Sequence, residues 1–462
     1  MKNSKFPRIM IAGASSNSGK TTLTCALLKA LKDKDLKITS FKCGPDYIDP
    51  MFHSEVIGVK ARNLDLFFTG EDTTKSLFCK NAQGSDMSII EGVMGYYDGM
   101  SAKSTASSSY DLARVTKTPV VLVVNCKGMY LSMVPLIKGF IDYKENSHIK
   151  GVILNNMSPM IYDEMKDAIE EELNIKVLGY LPTMKEISFE SRHLGLITAK
   201  EVDELNRKLE LMAEKVSQTV DLDAVIKLAE EAEDIEAETI INSKTYDNIN
   251  IAVAMDKAFC FYYADNLELL SEMGANIVPF SPINDEKLPE NIHGIILGGG
   301  YPEVYAKDLC NNISMKESIY KAISKNNIPT IAECGGFMYL TESIEDIDGK
   351  EFKMAAVIKG KSFKTNKLGR FGYINLTAQE DTMLCDKGMS IAGHEFHYWD
   401  STCNGEAFIA QKPMRKRNWT CINNEKNLFA GYPHIHYYSN ISFAKNFLSK
   451  CNEYKKGLKN VK

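Results

Sequence analysis

Short apolar runs recur along the first two hundred residues, RIMIAG, KITSFK, MSIIEG, TPVVLVVN, IKGVILNN and IKVLGYLP, with helical text between them. Parallel strands covered on both faces read as continuous apolar runs, so this pattern predicts a parallel sheet wrapped by helices over residues 8–200. Between Thr198 and Asn248 the text turns charged and amphipathic, EVDELNRKLELMAEKV and DLDAVIKLAEEAEDIEAE, with no Gly or Pro. Helices joining two domains are expected there. Strand-like runs return from Asn250 in INIAVAM, ANIVPF, IHGIILGGG and IPTIAEC, interleaved with stretches such as DNLELLSEMG. The expectation is an α/β chain of two domains: residues 1–200, a helical linker 201–248, a second α/β domain 249–448, and a basic tail 449–462.

Composition narrows the function classes. With 462 residues, 44% of them hydrophobic, the chain can bury substantial cores. A net charge of -5, with both signs interspersed, gives neither a nucleic-acid footprint nor a polybasic membrane patch, so small-molecule partners are expected. The apolar stretch after the basic N-terminus breaks at Gly13 after a strand's length, and no later run approaches a membrane span. A cytoplasmic location is expected. Eleven cysteines lie scattered without a C-x-x-C pair, which argues against a disulfide framework and a Cys-rich zinc site.

The first candidate chemistry is a phosphate loop. IMIAGASSNSGKTTLTCALLKAL reads as strand, glycine loop and helix, with Leu23, Ala26, Leu27 and Ala30 on one helix face. Such a corner aims backbone N–H groups at phosphates, Lys20 reaches the terminal oxygens, and the Thr21 hydroxyl ligates Mg²⁺. Five residues separate Gly13 from Gly19 instead of the usual four. Further carboxylates close strands nearby. Lys42, Asp46 and Asp49 sit in FKCGPDYIDPMFH, where metal or substrate contacts compete with a plain turn. Glu91 ends MSIIEG, where an unpaired charge is costly and a Mg²⁺ ligand is natural. Asp98 is a site residue or a turn former, and Asn125 and Asn155 orient nucleotide or cap local structure.

The second is a cysteine corner. In IPTIAECGGFMYL a strand runs to Glu333, then Cys334 meets Gly335 and Gly336 before a helix, the outline of a nucleophile elbow. The helix start is expected to stabilise the thiolate, with the Gly335 N–H facing an oxyanion. Gly299 and Gly300, in GIILGGGYPEVYA, supply the other half of the oxyanion hole. His434 and His436, in NLFAGYPHIHYYSN, fall on one face of an expected strand, and either can take the thiol proton. GHEFHYW holds His394, Glu395 and His397, but its H-E-x-H spacing is not that of the H-E-x-x-H zinc helix, and a packing or substrate-lining strand is expected.

The motifs GPDYIDPMFH, RNLDLFF, IEGVMGYYDG, DKAFCFYYADNLELL, FSPINDEKLP, LGGGYPEVYA, AECGGFMYL and GHEFHYW occur in an order that resembles the cobyrinate a,c-diamide synthase family of cobalamin biosynthesis. The resemblance covers nearly the whole chain. It implies a dethiobiotin synthetase-like P-loop domain followed by a class I glutamine amidotransferase domain of flavodoxin-like fold. It further implies amidation of the a and c acetates of cobyrinate with ATP, glutamine and Mg²⁺, through acyl phosphates. Carried over, Cys334 is the nucleophile, and Ser18, Gly19, Lys20, Thr21 and Thr22 bind ATP. Thr21, Asp46 and Glu91 hold the metal; Lys42, Tyr47, Asp49 and Asp98 face the corrinoid carboxylates. The PHIHYY text lacks the Pro-Glu that often follows the histidine in class I amidotransferases, so a Cys-His dyad is expected, with His436 the first choice and His434 the second. The aromatics of AFCFYYADN are expected between the domains or in the core. A homodimer is compatible with the fold.

Hydrogenobyrinate and nickel-sirohydrochlorin carry similar acetates, and the motifs do not separate these substrates. A P-loop regulatory or partitioning ATPase with an inert amidotransferase-like domain is the reading from another class. The absence of an early lysine in GASSNSGKT, and the intact Cys334 with its histidines, argue against it.

Overall fold

The strand Arg8–Gly13 lies inside a seven-stranded sheet because its six residues are all buried. In space the order is Lys60–Leu64, Ile38–Cys43, Met87–Glu91, Arg8–Gly13, Val120–Asn125, Ile149–Asn155 and Lys176–Leu181, and every pairing is parallel. The computed structural model describes residues 2–184, 199–240 and 244–460. They form two units, Met1–Ile240 and Ile241–Lys462. Parallel pairing brings the carboxyl ends of the strands carrying Gly13, Cys43 and Glu91 to one edge, where open α/β sheets bind ligands. The edge strand Lys60–Leu64 escaped the apolar-run criterion, since its KARNL text opens with an exposed lysine and is only partly buried.

The stretch expected as a linker belongs instead to the core of the first unit. The helix Ala199–Thr219 and the helix Leu222–Glu230 bury Leu209, Met212, Ala213, Val216, Leu222 and Val225 in the same cluster as Leu23, Leu27 and Leu31 of the phosphate-loop helix Lys20–Lys32. That helix is therefore buried on two sides, and Thr24, Cys25 and Leu28 are buried along with the predicted face. Arg8, fully buried, ties the same region down by donating to the Glu233 carbonyl at 2.6 Å and to Thr116 O at 2.8 Å.

The second unit is built on the strand Thr330–Glu333, paired in parallel with Gly294–Leu297 and Leu428–Gly431. The sheet order is Ala275–Phe280, Ile249–Ala254, Gly294–Leu297, Thr330–Glu333, Leu428–Gly431 and an antiparallel edge, Asn423–Glu425. From Thr341 onward the chain adds strands of a different kind, a four-stranded mixed sheet and a five-stranded antiparallel sheet that ends in His434–Ile435. Half-solvated antiparallel strands lack long apolar runs, which is why this region reads weakly in sequence. The expected basic tail is not separate: Ile441–Asn460 is one helix, burying Phe443, Ala444, Phe447, Leu448 and Cys451 at helical spacing. No helix among the described residues is long and apolar enough to cross a membrane.

Candidate functional site

The phosphate loop closes on itself. Ser18 Oγ donates to the Ser15 carbonyl at 2.8 Å and accepts from Ser15 N at 3.0 Å, while Lys20 Nζ curls back to Ser15 O at 3.0 Å. Gly19 has φ +94, and a Cβ there would stand 2.2 Å from Asn155 Nδ2, which donates to Ser18 O at 2.9 Å. Asn155 is thus a brace for the loop, whereas Asn125 serves a local turn, accepting from Lys127 N and Asn156 Nδ2. Burial, and then the Lys42 charge, push Lys20 down to about 8.

Glu91 stands at the centre of this edge with no exposed surface. Its Oε1 accepts from Thr21 Oγ1 at 2.5 Å and Lys42 Nζ at 2.9 Å. Lys42 also meets Asp49 Oδ2 at 2.5 Å. Burial and the Asp49 charge raise the Glu91 carboxyl to about 7. Burial opposes the Lys42 charge, but Glu91, Asp49 and Asp46 more than offset it and hold the ammonium above the ordinary lysine range. Oε2 of Glu91 has no hydrogen-bond partner among the described residues and faces His53 Nε2 at 3.5 Å. A buried carboxylate oxygen without a donor, beside the Thr21 hydroxyl and a phosphate loop, suits a hard divalent cation that keeps water and phosphate oxygens as further ligands. No group of three or more His, Cys, Asp or Glu poised for a metal occurs among the described residues. Asp46 accepts from Ile48 N at 2.9 Å, and burial followed by the Asp49 charge raises it to about 6. The carboxylate that reaches Lys42 is Asp49.

Tyr47 is buried in the same turn, pinned by Asn63, which donates to the Asp46 carbonyl at 2.7 Å and the Gly44 carbonyl at 2.9 Å. Asp98 caps its own turn through Gly95 N at 2.8 Å, and this turn touches the phosphate loop, since Tyr96 N donates to Gly13 O. His53 closes the GPDYIDPMFH motif. It is buried with Nδ1 2.8 Å from Ser40 Oγ, and burial lowers it to about 4.

In the second unit Cys334 has φ 49 and ψ -103, a strained conformation for a non-glycine residue, held because its N–H donates to Gly431 O at 2.7 Å. A Cβ on Gly336 would lie 2.1 Å from Leu297 O, and one on Gly335 would lie 3.1 Å from Gly300 N. Gly336 is therefore required by the close approach of the Leu297 backbone, and Gly335 leaves only tight room beside Pro302 and Gly300. The expectation of a thiolate stabilised by the following helix is outweighed. That helix, Gly335–Leu340, is short, while burial, then Glu303 and Glu395, push the thiol up. A proton acceptor is needed.

Of the two histidines, His434 is the one at the glycine loop: a Cβ on Gly299 would be 2.5 Å from His434 Cε1 and 3.4 Å from Nε2. Only His434–Ile435 is strand, and His436 turns instead toward the rings of Tyr263, at 5.0 Å, and Tyr438. Burial lowers His436 to about 3. His434 is thus the histidine of the pair that meets the glycine loop, whereas His436 lies among aromatic rings. GHEFHYW is a packed strand segment, as expected: Glu395 is bonded to His397 at 2.9 Å and Trp419 at 3.0 Å, His397 stacks on Tyr432 at 3.9 Å, and His394 stacks on His434 at 5.0 Å. The AFCFYYADN aromatics are used inside the second unit, Tyr262 on the Gly298 N–H at 2.9 Å and Tyr263 on His394 Nδ1 at 3.1 Å.

Two family profiles match the chain, a CobQ/CobB/MinD/ParA nucleotide binding domain over residues 9–197 and a CobB/CobQ-like glutamine amidotransferase domain over 250–441. Three relatives, each named cobyrinate a,c-diamide synthase, align along nearly their full length. The protein of Caldanaerobacter subterraneus subsp. tengcongensis is 42% identical, covering 96% of this chain and 98% of its own. That of Listeria innocua is 40% identical over 94% and 97%, and that of Thermoplasma volcanium 39% over 98% and 99%. Identity of this extent, across both units, places the chain in the cobyrinate a,c-diamide synthase family.

Proposed function

We propose that this protein is an ATP-dependent ligase that uses glutamine to amidate the a and c acetate side chains of cobyrinate. The observation that carries the proposal is one chain holding both an acid-lined phosphate loop and a thiol elbow, with near full-length identity to proteins of that name. In the first unit the loop N–H groups with Ser18, Gly19, Lys20, Thr21 and Thr22 hold ATP. Lys42 neutralises charge on the transferring phosphoryl group, and Tyr47, Asp49 and Asp98 line the approach of the substrate carboxylate, with Asp46 beside Asp49. Thr21 and Glu91 are the residues that would hold Mg²⁺, which supplies charge neutralisation at the phosphates. The acetate oxygen attacks the γ-phosphorus, ADP leaves, and the acyl phosphate is opened by ammonia with loss of phosphate.

In the second unit Cys334 Sγ attacks the side-chain amide carbon of glutamine as His434 takes the thiol proton. The oxyanion rests on backbone N–H groups of Gly300 and Gly335, with Gly299 giving the histidine room. His434 returns the proton to the departing nitrogen, ammonia leaves, and water releases glutamate from the thioester.

The test is product mass spectrometry after incubation with cobyrinate, glutamine, Mg²⁺ and ATP, beside arms offering hydrogenobyrinate and nickel-sirohydrochlorin. Two ATP-dependent conversions of cobyrinate, each lowering the mass by about one dalton, are expected. Conversion of another macrocycle alone would move the substrate assignment, and ATP hydrolysis without any amidation would overturn the ligase reading.

A further inference from the structure

The two nitrogens of the His434 ring meet different surroundings. The Cε1–Nε2 edge lies against Gly299, whereas Nδ1 stands 3.6 Å from Oε2 of Glu333. The other Glu333 oxygen accepts from the Ile435 amide at 3.3 Å. Glu333 ends an apolar strand immediately before Cys334, and its side chain is only 13% exposed. Strand register locks this arrangement, for Glu333 pairs with Gly431, and Cys334 N donates to Gly431 O three residues before His434. A carboxylate so placed holds an imidazole in one orientation, favours the tautomer with the proton on Nδ1, and stabilises the imidazolium formed in the reaction.

We propose that Glu333 is the carboxylate partner of His434, a positioning residue supplied by the position before the nucleophile instead of the position two after the histidine. The proposal rests on the reading of Cys334 as nucleophile and His434 as base. In the step concerned the Cys334 thiol proton passes to His434 Nε2 as the sulfur–carbon bond forms. The same proton passes to the amide nitrogen as the carbon–nitrogen bond breaks. Glu333 takes no proton in either transfer. A second titratable ring against His434 is His394, stacked on it from the strand Ser390–Phe396 and bonded to Tyr263. Burial and the His434 charge keep His394 neutral, so it adds no charge of its own. Glu395 is engaged by His397 and Trp419.

The decisive variant is Glu333→Gln in the full chain, because the amide keeps the volume and an oxygen for the Ile435 N–H and removes only the charge. With cobyrinate, ATP and Mg²⁺ present, kcat for glutamine-dependent amidation is expected to fall about 10²-fold, the low end for a positioned acid–base system. KM for glutamine and the ammonia-supported rate should be unchanged. Glu333→Asp should recover part of the loss. Wild-type kcat in Glu333→Gln, or equal losses in both variants, would overturn the proposal and leave Glu333 a strand anchor. His434→Asn tests the underlying reading separately: retained glutamine-dependent amidation there, with loss in His436→Asn, would remove the base assignment itself.

Discussion

At the residue scale, glycines and buried histidines carry consequences that side-chain chemistry alone does not suggest. Gly19 combines φ +94 with a brace from Asn155 at the place a Cβ would occupy. Gly19→Ala therefore adds a left-handed penalty of about 1–2 kcal/mol to a steric clash. ATP titration should show binding about five- to thirtyfold weaker, the equivalent of that penalty; unchanged affinity would mean the loop conformation is not the one that binds. Asn155→Ala should weaken ATP more mildly, as loss of one hydrogen bond is worth about 1 kcal/mol. His436 makes a prediction about pH. Burial lowers it to about 3, below the ordinary 6.5, so the unfolded chain binds its proton more readily than the folded chain. Stability from this residue is present above the unfolded value and is lost as pH falls from about 6.5 toward 3, by at most about 1.4 kcal/mol per unit. Denaturant titrations at stepped pH should show a shallower acid loss in His436→Asn, and an identical slope would count against neutral burial.

At the scale of elements, the amphipathic helices after residue 199 show how pattern and placement differ. Their charged faces and lack of Gly and Pro suit a connector, yet the apolar stripe through Leu209, Met212, Ala213 and Val216 is buried against the phosphate-loop helix. Met212→Ala should therefore destabilise the first unit by about 2–5 kcal/mol. The C-terminal helix behaves likewise, and Phe447→Ala should cost the second unit about 3–5 kcal/mol. Both are read from denaturant unfolding, and a change within about 0.5 kcal/mol, as for a surface site, would contradict the packing.

At the scale of the whole molecule, two chemistries in one chain predict separable losses. Cys334→Ala should abolish glutamine-dependent amidation while ammonia still supports it. Lys20→Ala should abolish amidation with either nitrogen source. Product assays with the two nitrogen sources decide this. Loss of both activities in Cys334→Ala, or retained ATP-dependent product in Lys20→Ala, would break the division of labour between the units.

The sequence by itself determined the parallel sheets, because strands buried on both faces write continuous apolar runs, and it marked the phosphate loop and cysteine corner, because their glycines are local necessities. It could equally single out Glu91, since a charge at the end of an apolar strand demands a partner; the same reasoning applied to Glu333 would have flagged that residue. What only the tertiary structure decided are choices between chemically equal neighbours. Asp49 rather than Asp46 reaches Lys42, and His434 rather than His436 meets the glycine loop. Glu333 meets His434 across about a hundred residues of chain, a proximity created by strand register. Local spacing records which groups are available, whereas the distances that give them a partner and a charge state are set by elements far apart in sequence.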